Sequence, residues 1–156
     1  MEHQDFFNIN PAVEPEETLE QKFSKQREEW SEIIKGMSVR MKNIMNLPEL
    51  MTELYTERQR CVEYHHYLMS IMIKTNIEYR RRYAERHDFW SYKSNIRYPN
   101  ESSKNNKILT ELSDVVEKRE MLDNHAKFMN ETKASLDAII YAVKSRVEIE
   151  QISRGK

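Results

Sequence analysis

Between Pro48 and Pro99 the chain carries neither glycine nor proline, and none follows until Gly155. Backbone of that length, without a residue that breaks a helix or turns at positive φ, folds into long helices. All 156 residues hold two glycines (Gly36, Gly155) and four prolines (Pro11, Pro15, Pro48, Pro99). That excludes an all-β chain turning every ten residues or so, and it excludes a Gly-rich phosphate cradle.

Apolar periodicity divides the chain. Residues 1–15 read as an irregular acidic arm punctuated by Pro11 and Pro15. A helix is expected over about 16–45, with an apolar stripe of Leu19, Phe23, Trp30, Ile33, Ile34, Met37, Met41 and Ile44. Pro48 suits the first turn of a second helix and Glu49 its positive dipole end, so that helix is placed over about 48–93. At 1.5 Å per residue it would be on the order of 70 Å long. Its stripe (Met51, Leu54, Cys61, Leu68, Met72, Tyr79, Tyr83) steps near 3.5 and is interrupted by Arg58 and His65. Ser94–Lys107 reads as the turn region, and a third helix is expected over about 108–152 on Leu112, Val115, Leu122, Met129, Leu136, Ile140, Val143 and Val147. The fold class is all-α: residues 16–156 form one domain whose long amphipathic helices make an antiparallel hairpin. A bare hairpin buries little per residue. Assembly into a homo-oligomeric, ring-like bundle is therefore expected, with Leu136, Ile140 and Val143 carrying part of the contact.

A third of the residues are charged and 38% are apolar, so buried surface must come as stripes on helices. The acidic N-terminus offers no basic-then-apolar export signal, and the longest apolar run, around Leu68–Ile73, is far short of a membrane span. A single cysteine, Cys61, excludes an internal disulfide and a Cys-based zinc site, and fits a reducing cytoplasm. Nucleotide-loop, zinc-protease and redox motifs are missing. One Glu-x-x-His pair, Glu63 and His66, lacks the second pair that di-iron bundles need. No enzyme activity, cofactor or metal is expected. The nine methionines read by default as deformable packing, with a promiscuous binding groove as the alternative.

Net charge is −1, but its distribution is uneven. Residues 1–32 carry nine acids against three bases, whereas residues 74–98 carry seven bases against three acids and hold six of the fifteen aromatics. Single-stranded nucleic acid is gripped by cations that track phosphates and by flat rings on which bases stack. Arg80, Arg81, Arg82, Arg86 and Lys93 supply charge, and Tyr83, Phe89 and Trp90 supply rings. At helical spacing Arg82 and Arg86 form one row and Tyr79 and Tyr83 an adjacent one. A solvated charged face over core aromatics is the competing reading.

Two stretches resemble the phage recombination mediator family UvsY. Tyr83-Ala84-Glu85-Arg86-His87-Asp88-Phe89-Trp90-Ser91-Tyr92-Lys93 is similar to the family's Leu-Lys-Ala-Arg-Leu-Asp-Tyr-Tyr stretch and the Ser, Gly and base after it. Ala142-Val143-Lys144-Ser145-Arg146, with Ser135–Ile139 before it, resembles the C-terminal Ala-Leu-Asp-Ala-Ile-Lys-Ser-Arg. Ala84 stands where the family has a DNA-contacting Lys, so Arg80–Arg82 would take that role, and Tyr92 replaces the Gly. The resemblance implies a ring-forming mediator in the cytoplasm, that of the host if phage-encoded. It would bind single-stranded DNA, loosen the single-strand-binding protein and help load a RecA-like recombinase, to which the ATP chemistry belongs. The rival expectations are a coiled-coil scaffold or an adaptor that docks a helix into a partner's groove, neither binding nucleic acid.

Overall fold

A computed structural model describes residues 17–155, so the arm expected over 1–15 lies outside the described residues. Four helices pack together: α1 (Leu19–Arg40), α2 (Leu47–Asp88), α3 (Glu101–Glu111) and α4 (Ser113–Arg154), with no strand among the described residues. No helix is long and apolar enough to cross a membrane.

Local chemistry starts each helix. The Thr18 hydroxyl accepts from the Gln21 amide at 3.2 Å, while the Gln21 side chain accepts from the Thr18 amide at 2.8 Å, a reciprocal cap for α1. A short 3₁₀ turn (Ile44–Asn46) leads into α2, whose first turn holds Pro48 and Glu49. α3 is capped by Asn100, whose side chain accepts from the Ser103 amide at 2.8 Å. The expected turn region thus shrinks to Ser94–Asn100, because the Asn100 cap starts a helix seven residues before Ile108. Only Leu112 separates α3 from α4.

Buried residues recur every seven positions: Phe23, Trp30 and Met37 on α1; Leu47, Leu54, Cys61, Leu68 and Thr75 on α2; Ile108 on α3, then Val115, Leu122, Met129, Leu136 and Val143 on α4. A sustained seven-residue step keeps one seam facing its partner along a left-handed supercoil. α2 and α4 are antiparallel, each 42 residues and thus on the order of 60 Å long. Their register is pinned by the Cys61 thiol donating to the Met129 carbonyl at 3.3 Å, by Arg58 on Asp137, and by Arg119 donating to the Asn76 side chain at 2.7 Å.

The expected hairpin is not bare. α1 turns back through the Arg40–Glu53 ion pair and runs parallel to α4, antiparallel to α2. Phe23 stacks on His125 with ring centres 4.1 Å apart. Gln26 accepts from the Tyr64 hydroxyl and bonds His125 Nε2, tying three helices at one point. At the other end Arg146 donates to the carbonyls of Met41 (2.6 Å) and Lys42 (3.3 Å), closing the C-terminus of α1. The residues expected to carry the assembly contact lie within this core. Leu136, Ile140 and Val143 are buried inside this single chain, because α1 and α2 together cover the α4 stripe.

Candidate nucleic-acid interface

The basic and aromatic residues gather at the closed tip of the hairpin: the last three turns of α2, a widened turn, the Ser94–Asn100 loop, and α3. The widened turn spans Phe89–Lys93, where the Ser94 amide reaches back to the Phe89 carbonyl at 2.9 Å. This one-turn π geometry swings Phe89, Trp90 and Tyr92 off the helical track that Tyr79 and Tyr83 follow.

The eight residues expected to bind nucleic acid separate into two groups. Arg80 and Arg81 are exposed on α2, and no carboxylate among the described residues pairs with either. Phe89 is half open and edge-on to Trp90 at 5.1 Å. These three keep the expected outward character.

The other five are engaged within the chain. Arg82 forks onto Asp114 at 2.8 and 3.1 Å and lies 3.6 Å from Glu78. That hydrogen bond raises the Arg82 pKa, and the same bond lowers that of Asp114. Arg86 donates to Glu111 at 2.6 Å, with its guanidinium 5.4 Å from the Phe89 ring centre. Lys93 bridges to Asp88 at 2.7 Å. Tyr83 donates to the Asn105 side chain at 2.8 Å and lies in a ring row with Tyr79 and His87. The Trp90 indole donates to Glu111 at 3.2 Å.

Glu111 is the hub that spacing within residues 74–98 could not reveal. Its carboxylate takes Arg86, Trp90 and Lys107. Burial pushes its pKa up, but those donors outweigh the burial and hold it below the usual carboxylate range. The row of Arg82 and Arg86 therefore pairs with the acids of α3 and α4 while staying partly open to solvent, and the aromatic row beside it packs along the same seam. Two positively charged residues of this region that the expected set omitted, Arg97 and Lys104, lie on the loop and α3. Arg97 is exposed with no carboxylate partner among the described residues, whereas Lys104 bonds Glu101 at 2.8 Å and Ser91 at 2.9 Å.

The open face of α2 continues away from Arg80 and Arg81 through Ile77, Ile73 and Met69, all exposed at four-residue steps. No group of three His, Cys, Asp or Glu side chains able to hold a metal occurs among the described residues. Compared with protein-family models, curated proteins and solved structures, the chain matches none.

Proposed function

We propose that this protein is a non-enzymatic recombination mediator that binds single-stranded DNA at the hairpin tip, loosens the single-strand-binding protein there, and helps load a RecA-like recombinase. The observation that carries the reading is a set of exposed guanidinium groups without a carboxylate partner among the described residues, Arg80 and Arg81 on α2 and Arg97 on the loop, in the same end of the molecule as the exposed rings of Phe89 and Tyr92. Exposed cations meet phosphates, and open rings accept unpaired bases. The resemblance of residues 83–93 and 142–146 to the UvsY family supports the same assignment. Three cations per chain bind weakly, so the reading includes a homo-oligomer, ring-like, that multiplies affinity through effective concentration. The exposed Met69–Ile73–Ile77 stripe is the contact assigned to it, in place of the buried α4 residues.

A labelled oligonucleotide titrated with the protein at two salt concentrations tests the first claim. Saturable binding that weakens with salt is expected; no binding at low salt ends the proposal. With the strand already coated by single-strand-binding protein, adding this protein should shorten the lag before the recombinase hydrolyses ATP. The scaffold reading has one observation in its favour: Arg82, Arg86 and Lys93 already have carboxylate partners.

A further inference from the structure

A cleft of about 260 Å³ opens at the tip, between the widened turn after α2 and the start of α3. Trp90 and Tyr98 both line it, packed edge-to-face on one another with ring centres 5.5 Å apart and planes inclined at 80°, so a planar group entering the cleft can stack on one ring at a time. Below them lies the Lys104 ammonium, its side chain only 14% exposed. An ammonium has three N–H donors; Ser91 and Glu101 take two of them, which leaves one for an acceptor entering the cleft. At the rim stands Arg97, exposed and unpaired among the described residues. With Lys104 and Glu101 cancelling, Arg97 gives the cleft one net positive charge.

This is a specific set of demands on an occupant. It must be flat to lie against Tyr98, carry a hydrogen-bond acceptor on its edge for Lys104, and trail a negative charge for Arg97. The volume falls just under the range of about 300–1,000 Å³ typical of small-molecule sites, which suits one ring system rather than a folded peptide. We infer that the cleft takes a single unpaired nucleobase of the bound strand, stacked on Tyr98 with its flanking phosphate at Arg97. The inference rests on the DNA-binding reading and adds a base-insertion site that the outward-facing cations do not require. It also gives the strand a fixed anchor at the tip, from which it runs toward Arg80 and Arg81.

Photocrosslinking of the full chain tests this without altering the protein. An oligonucleotide carrying 5-iododeoxyuridine is bound and irradiated, and the adduct is located by peptide mass spectrometry. An adduct on Tyr98 or Trp90 is expected. Separately, Tyr98→Leu, checked for intact helix content by circular dichroism, should weaken binding of a normal strand by roughly 5- to 150-fold, the loss of one stacked base. The same variant should lose far less against a strand of abasic sites. If the strand binds wild type but adducts form only on Phe89 or Tyr92, or if Tyr98→Leu binds as wild type does, the cleft assignment is overturned and the DNA-binding reading stands. If no strand binds at all, both fall together.

Discussion

Charge removal along α2 makes the sharpest prediction, because neighbouring arginines in one run have different partners. Arg80 and Arg81 form no ion pair among the described residues, whereas Arg82 and Arg86 sit on Asp114 and Glu111. Each cation that meets a phosphate releases a condensed counterion, and on single strands this contributes about 0.7 to the slope of log affinity against log salt. The three cations assigned to the DNA surface of each chain, Arg80, Arg81 and Arg97, therefore give a slope near 2, and a rise from about 50 to about 200 mM salt weakens binding by roughly 18-fold. The Arg80→Ala/Arg81→Ala double variant keeps one contact, and the same rise then weakens binding by only about 3-fold. Arg82→Ala and Arg86→Ala should leave the slope of wild type intact, since each removes a charge already balanced by an acid. The assay is fluorescence anisotropy of a labelled oligonucleotide at four or more salt concentrations. The result that refutes the reasoning is the reverse pattern, in which Arg82 and Arg86 set the slope while Arg80 and Arg81 do not. The strand would then be opening the Asp114 and Glu111 pairs and running over α3.

Other parts of the molecule make independent predictions. Burial among Phe23, Tyr64 and Phe128, with the Arg27 charge adding to it, lowers the His125 pKa from 6.5 to about 4. The neutral ring is the form that fits, so its contribution is complete above pH 6.5 and is lost as pH falls toward 4, by about 2 kcal/mol at pH 5. Urea melts should show that slope in wild type and a shallower one in His125→Gln. Cys61 is fully buried and burial pushes its thiol pKa up, so a thiol reagent should fail to label the native chain and label it rapidly in denaturant. Leu68→Ala, at a fully packed heptad position, should cost about 2–5 kcal/mol in the same melts. Ile73→Glu/Ile77→Glu should lower the mass measured by light scattering while leaving helix content unchanged, and an unchanged mass would remove that stripe from the assembly contact.

The long helices were legible because the signals that define them are local. Absence of breakers over residues 49–98, Pro48 at a first turn, and apolar steps of three, four and seven depend only on neighbours along the chain. What those signals lack is a partner. The stripe of Phe23, Trp30 and Met37 shows that α1 buries one face, but not that the face lies on the α2–α4 groove. Gln26, His125 and Arg146 do that positioning. Each is a polar residue whose role depends on a group at least 38 positions away, as with Tyr64 or the Met41 carbonyl. His125 in particular interrupts nothing in the heptad sequence and is missed for that reason, although it is among the most deeply buried side chains.

The same physics limits how much of the tip could be read in advance. A dense run of bases does attract polyanions, but composition counts charge and does not show which charges are already balanced. Within residues 74–98 the three acids Glu78, Glu85 and Asp88 leave a clear positive excess. Folding brings Asp114, Glu111 and Glu101 against that window from α3 and α4, where they bond Arg82, Arg86 and His87. The unpaired positive surface among the described residues of this window is thereby narrowed from a band around the helix to one edge of it. A strand bound there should contact Arg80, Arg81 and the loop, and should leave the α3 side dry of phosphate. Reversing Glu111 to Lys is the perturbation that separates the two descriptions. If composition governed binding, the added charge would tighten it. If the pairing geometry governs, Glu111→Lys expels Arg86, Trp90 and Lys107 from their shared acceptor, disorders the wall of the Tyr98 cleft, and weakens binding in spite of two more units of positive charge.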